Sequence, residues 1–193
     1  MISPSLDTCT SLEETLMTGR LVLLCGKSFS GKSTVAASLA DHLPGSVVSL
    51  DAINEERGLH GGDGIPLSEW ARTNELAKQQ ALARLHKDET VIVDDTSSPR
   101  FLRDGWRSLC SSIGAPIALV FVDTSQEVTR QRLIDNRVTR HRGDVTDEVM
   151  AAHQESFEPP DEDEQAVLLA TGSGPTDLDG LCTTLRGLLN QAG

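Results

Sequence analysis

The segment Gly26-Lys27-Ser28-Phe29-Ser30-Gly31-Lys32-Ser33 fits the pattern G-x-x-x-x-G-K-[ST] at every position, and no other stretch constrains the fold as tightly. Glycines let the backbone curl so that successive N–H groups face phosphate oxygens, the lysine reaches the β- and γ-phosphates, and the hydroxyl suits Mg²⁺. A chance glycine-rich turn would lack context. Here an apolar run, Leu21–Cys25, precedes the motif, and a helical pattern near Ser33–His42 follows it. The mechanism requires both, because the helix start aims its positive end at the anion. Residues 26–33 with Thr34 are therefore expected to cradle a nucleoside triphosphate, with Ser33 on the metal.

Four more apolar runs follow, Val47–Leu50, Val91–Asp94, Ile117–Val122 and Ala166–Ala170. Near-continuous apolar runs suit parallel strands covered on both faces, and the spacers are long enough for crossover helices. The pattern predicts an α/β fold, a three-layer α/β/α sandwich with a five-stranded parallel sheet. Helical stripes are read over 67–86 (Trp70, Ala77, Ala81, Leu85), over a helix with Pro99 in its first position, over Asp147–Phe157 capped by Thr146, and over a last helix capped by Thr176. Asn54–Ile65 and Glu158–Glu164 read as mobile, and Asp161–Glu164 as a solvated acidic loop. Residues 1–18 read as a loosely held extension to a single domain over 19–193.

Composition narrows the partners. The net charge is −12 and aromatics make up 3%, so long nucleic acid, which needs a basic surface and stacking side chains, is a weaker candidate than a small molecule. The four cysteines form no CxxC pair. With no basic N-terminal region and no long apolar run, the chain reads as a cytoplasmic protein without a membrane segment.

Carboxylates at strand ends are the next candidates, since ligands of open α/β sheets sit there. Asp51 could accept the proton of an attacking hydroxyl and so touch both substrate and chemistry. Asp94 is assigned to the metal, and Asp95 to a structural or substrate role, because adjacent strand residues point opposite ways. Arg130, Arg132, Arg137, Arg140 and Arg142 crowd one segment, read as a lid over about 130–146 that closes on the nucleotide. His60, His86, His141 and His153 lack metal-ligand spacing and are read as surface or packing residues.

Together these residues resemble the small P-loop kinases that include phage-type polynucleotide kinase domains, zeta toxins and chloramphenicol phosphotransferase, over roughly residues 20–160. In that resemblance Asp51 matches the catalytic aspartate at the end of the second strand. Val91-Ile92-Val93-Asp94-Asp95-Thr96, followed by Arg100, Arg103 and Trp106, resembles the D-T and R-x-x-W stretch of the polynucleotide kinases, which places Asp95 in the site. The segment from Arg132 to Thr146 resembles the family lid, with Arg140 matching the arginine on the transferring phosphate and Arg132 on the nucleotide. The resemblance implies an ATP- and Mg²⁺-dependent kinase in which Asp51, Lys32 and Arg140 act on the transfer to a hydroxyl; the loop Asn54–Ile65 matches no one member of the group, the acidic charge favours a small-molecule acceptor, and Arg57 in that loop is assigned to contact it. A 5′-hydroxyl polynucleotide kinase and a non-catalytic ATP-binding regulatory module are the alternatives.

Overall fold

The computed structural model describes residues 19–59, 64–140, 145–172 and 174–191. The expected extension over 1–18 lies outside them. Five strands form one parallel sheet: β1 (Arg20–Cys25), β2 (Gly45–Ser49), β3 (Thr90–Asp94), β4 (Ile117–Thr124) and β5 (Val167–Thr171), in the order β2-β3-β1-β4-β5. The α/β sandwich expected from the apolar runs is thus present. Strand ends differ from the expected ones by a residue or two, as at β2, where Leu50 leaves the strand and starts a helix.

The helices are α1 (Lys32–His42), α2 (Leu50–Glu56), α3 (Leu67–Leu85), α4 (Arg100–Ser112), α5 (Gln126–Thr139), α6 (Asp147–Glu155) and α7 (Leu178–Gln191). Alternate residues of each central strand feed opposite cores. Leu21, Leu23, Val91 and Val93 pack with Ala77, Ala81, Leu85 and Trp106 on one face. Val22, Leu24, Ile92 and Val120 pack with Val35, Leu39 and Leu185 on the other. Burying a strand on both faces leaves no room for polar alternation, which is why these runs are apolar throughout.

Several expectations are corrected. Asn54–Ile65 does not read through as a mobile loop: α2 carries the chain to Glu56, capped by the Ser49 hydroxyl, which accepts from the Ala52 N–H at 3.3 Å. Pro99 is the cap of α4, and the helix starts at Arg100. The last helix is capped by Asp177, whose carboxylate accepts from the Gly180 N–H at 2.9 Å, not by Thr176. The acidic run is not simply solvated, since Glu162–Glu164 forms a 3-10 turn with Glu164 buried. The segment read as the start of a lid, from Arg130 to Thr139, is the body of α5.

Candidate active site

The carboxyl ends of the strands surround one cavity of about 480 Å³, within the size range of small-molecule sites. Its wall begins with the loop between β1 and α1, where Ser28, Phe29, Gly31, Lys32, Ser33 and Thr34 all line it. Gly31 caps α1 in a left-handed conformation, φ 101°, that a side chain strongly disfavours. Gly26 leaves β1 where an added Cβ would fall 2.6 Å from the Val122 carbonyl. Lys32 is buried, and its ammonium donates to the carbonyls of Gly26 at 2.9 Å and Lys27 at 2.8 Å. The loop is thereby curled around its own lysine.

Three side chains from distant parts of the chain hold this loop from behind. The hydroxyls of Thr124 and Thr171, at the ends of β4 and β5, donate to the Ser30 carbonyl at 3.0 and 2.7 Å. Arg132, on α5, donates to the same carbonyl at 2.7 Å and to that of Phe29 at 3.2 Å. Arg132 also lines the cavity, so the nucleotide-side arginine expected from the sequence reaches the cradle. Thr124 and Thr171 were not singled out in the sequence. Their signal is position: each ends a strand beside the loop.

Across the cavity stand the carboxylates. Asp51 lies in the first turn of α2 and is exposed to the cavity, and Glu55 follows one turn later on the same wall. Asp94, at the end of β3, is buried, and Asp95 follows it. Asp94 and Asp95 both line the cavity. One carboxylate oxygen of Asp95 accepts from the Ser97 N–H at 2.8 Å and its hydroxyl at 3.3 Å. Burial pushes the Asp95 carboxyl above its usual range, opposed by the Ser97 N–H and by the nearby Lys32 charge. The same dry surroundings push the Cys25 thiol, under the loop, up to about 12, which makes it a packing residue and not a nucleophile.

The structure separates two of the expected residues from the cavity wall. Arg57 follows α2, but it is paired with Glu69 and donates to the Thr73 hydroxyl and, at 2.9 Å, to the Glu69 carbonyl. Arg140 ends α5 in a left-handed conformation, exposed, and is not among the lining residues. Arg142 and His141 of the expected lid, and His60, lie outside the described residues. The structure adds His153 and Trp70 to the wall. His153, read as a surface or packing residue, places Nδ1 3.5 Å from the Ser28 hydroxyl. Trp70 falls on the apolar stripe of α3, which disguised a cavity residue as a core residue.

The donor set suits Mg²⁺. The Ser33 hydroxyl and the Asp94 carboxylate line the same cavity, both are hard oxygen donors, and Mg²⁺ takes one or two protein ligands beside substrate phosphates.

Comparison with known proteins agrees with this architecture. APS kinase CysC of Mycobacterium tuberculosis, solved with AMPPNP and APS, aligns with a TM-score of 0.65 at 19% identity over 90% of this chain and 98% of that one. A gluconokinase from Sinorhizobium meliloti aligns at 0.64 and 22% over 91% and 94%. Kti12 from Chaetomium thermophilum, with ADP-AlF3, aligns at 0.70 and 16% over 88% and 98%. No curated protein sequence matches the chain. The family model described as AAA domain matches residues 21–160, which include the phosphate loop, the strand-end carboxylates and α5. With its phosphate loop curled around Lys32 at the head of a five-stranded parallel sheet, this chain belongs to that AAA domain family and has the fold of the P-loop kinases.

Proposed function

We propose that the protein is an ATP-dependent kinase that transfers the γ-phosphate to a hydroxyl group of a small molecule. The observation that carries this reading is that one cavity is walled by the phosphate loop on one side and by Asp51 on the other, with Asp94 and Asp95 on the strand end beside them. A switch module needs the phosphate loop and the metal ligands, but it does not need a carboxylate facing them from the opposite wall. The kinase identity of the structural neighbours adds to this reading.

In the proposed reaction the backbone N–H groups of residues 26–33 and the Lys32 ammonium bind the triphosphate, exchanging the lysine's contacts with loop carbonyls for phosphate oxygens. Ser33 and Asp94 would hold Mg²⁺, which when bound offsets charge on the β- and γ-phosphates. Asp51 orients the acceptor hydroxyl and takes its proton as the oxygen–phosphorus bond forms. The bond from the γ-phosphorus to the bridging oxygen breaks, and ADP leaves with the electron pair. Arg132 positions the cradle through its bonds to Phe29 and Ser30. Arg140, from the end of α5, is proposed to approach the γ-phosphate when nucleotide is bound. Asp95 and Arg57 are proposed to shape the acceptor side, Arg57 through its tie to α3. Most of the rate then comes from positioning and from charges already in place.

The test uses γ-labelled ATP, Mg²⁺ and a panel of hydroxyl-bearing acceptors. Label on one acceptor, lost in Lys32→Ala together with ATP binding, is the expected result. ATP binding without label on any acceptor would favour the regulatory alternative, and label on an oligonucleotide end alone would favour the polynucleotide kinase.

A further inference from the structure

The turn between β3 and α4 places Asp95 and Thr96 on the cavity wall, and side chains from outside the wall grip it from behind. Ser97, fully buried, holds φ 48°, a left-handed backbone. A serine stays there only where its surroundings enforce it, and such strain gathers beside functional groups. From this position its N–H and hydroxyl both donate to one carboxylate oxygen of Asp95, at 2.8 and 3.3 Å. Its carbonyl accepts from Arg103 at 2.9 Å. One residue on, the Ser98 hydroxyl accepts from the Glu158 N–H at 2.9 Å. One residue back, the Thr96 carbonyl accepts from the Gly26 N–H at 3.2 Å, where the phosphate loop begins.

Arg103 uses every N–H of its guanidinium on this grip. Besides the Ser97 carbonyl it donates to the Glu164 carboxylate at 2.8 and 2.6 Å, to the Glu158 carbonyl at 3.0 Å and to the Pro159 carbonyl at 3.4 Å. Arg107 donates to the same carboxylate at 2.7 Å. The Arg103 and Glu164 side chains are fully buried. Burying an ion pair carries a desolvation cost that well-packed apolar side chains avoid, so holding α4 on the sheet does not call for one. An apolar residue lacks the rigid fork that fixes several carbonyls and a carboxylate at once. The pair therefore sets position and does not merely fill space. Its bonds run from Glu164, in the turn before β5, through Arg103 and Ser97 to Asp95 at the cavity.

We propose that Arg103, locked by Glu164, is a positioning residue that sets the Asp95 carboxylate on the cavity wall through Ser97. The consequence for the acceptor rests on the kinase reading above, in which Asp95 shapes the acceptor side. The bond between Gly26 and Thr96 does not pass through Arg103, so the phosphate loop keeps its own support. Loss of the grip then weakens acceptor binding and spares the nucleotide.

The experiment follows isotope-labelled aspartate carboxyl carbons of the full chain by NMR at a single pH, with the Asp95 signal assigned by its loss in Asp95→Asn. Arg103→Lys keeps the charge without the fork, and Glu164→Gln keeps the shape without the counterion. Leu189→Ala removes a buried side chain from α7 in the opposite core and controls for lost stability. Arg103→Lys and Glu164→Gln should each move the Asp95 signal and leave that of Asp41, exposed on α1, in place. Leu189→Ala should move neither. Should either of the first two variants not fold, Glu164→Asp takes its place. Label transfer from γ-labelled ATP to glucose, gluconate, adenosine and a 5′-hydroxyl oligonucleotide is measured beside AMPPNP affinity. For the acceptor that takes label, Arg103→Lys should raise KM about tenfold and hold AMPPNP affinity within about twofold. In the Asp95→Asn background the same substitution should leave KM unchanged, because its effect passes through that carboxylate. An Asp95 signal unmoved in the folded variants, or moved equally by Leu189→Ala, overturns the proposal, as does a KM effect of the same size without Asp95. A moved Asp95 signal with no label on any acceptor overturns the kinase reading and keeps the positioning.

Discussion

Glu164 shows how much a single side chain can hide in a sequence. It stands in an acidic run that reads as solvated, yet its carboxylate accepts from Arg103 at 2.8 and 2.6 Å and from Arg107 at 2.7 Å, with Arg103 and Glu164 both fully buried at the side chain. Arg103 also donates to the carbonyls of Ser97 and Glu158, so this pair ties α4 to the turn before β5 and to the residue that holds Asp95. The Arg103 hydrogen bonds hold the Glu164 carboxyl well down, from 4.5 to about 2, against the effect of burial. A carboxylate depressed on folding adds stability above its unfolded pKa, and that stability is lost as pH falls through the folded one. The contribution should therefore be complete above about pH 4.5 and fade toward pH 2. Glu164→Gln leaves the Arg103 charge without its counterion and should cost about 3 kcal/mol in urea unfolding at neutral pH. The variant should also lack this pH dependence, whereas an unchanged midpoint would show the pair to be incidental. The local sequence marks Glu164 only as the residue that completes a capping box with Asp161, whose N–H it accepts at 3.0 Å; its arginine partners lie 61 and 57 residues away. Arg57 was hidden in the same manner: its charge suggested an acceptor contact, and its packing against α3 is a tertiary fact.

At the scale of elements, legibility followed length and periodicity. Helix α3 and the strands carry enough apolar residues to declare themselves. Helix α2 has seven residues, too few for a stripe, and its cap Ser49 lacks the acidic partner that completes a capping box. It therefore disappeared into an expected loop, although it carries both Asp51 and Glu55. The arginines read as a lid over about 130–146 lie partly on α5 and partly outside the described residues, and a cluster of like charges carries no stripe that would mark the helix spacing them. The junction of β1 and α1 was the most legible, since its geometry admits few residues. Gly31→Ala puts a Cβ into a left-handed backbone and 3.1 Å from the Arg132 guanidinium. Strain of about 1–3 kcal/mol is expected at such a position. Because the loop, not the core, takes up the distortion, ATP affinity should fall about tenfold or more while the thermal midpoint moves by only a few degrees. Normal affinity in this variant would mean that the loop is not the phosphate site.

For the whole molecule, the alternation of strands and helices announces a parallel sheet, but the order β2-β3-β1-β4-β5 is not written in any local pattern. That order matters, because it sets β3 between β2 and β1 and so brings Asp51, Asp94 and the phosphate loop to one rim. The acidity of the chain, −12 overall, coexists with a cradle that contains Lys27 and Lys32 and is held from behind by Arg132. Among the described residues no helix is long and apolar enough to cross a membrane. The central claim is that Asp51, facing the cradle across the cavity, serves transfer and not nucleotide binding. Single-turnover transfer of labelled phosphate by Asp51→Asn, measured beside its ATP affinity, tests this directly. The account predicts an ATP dissociation constant close to that of the wild type and a transfer rate lowered about a hundredfold or more. Transfer by Asp51→Asn at the wild-type rate would contradict it.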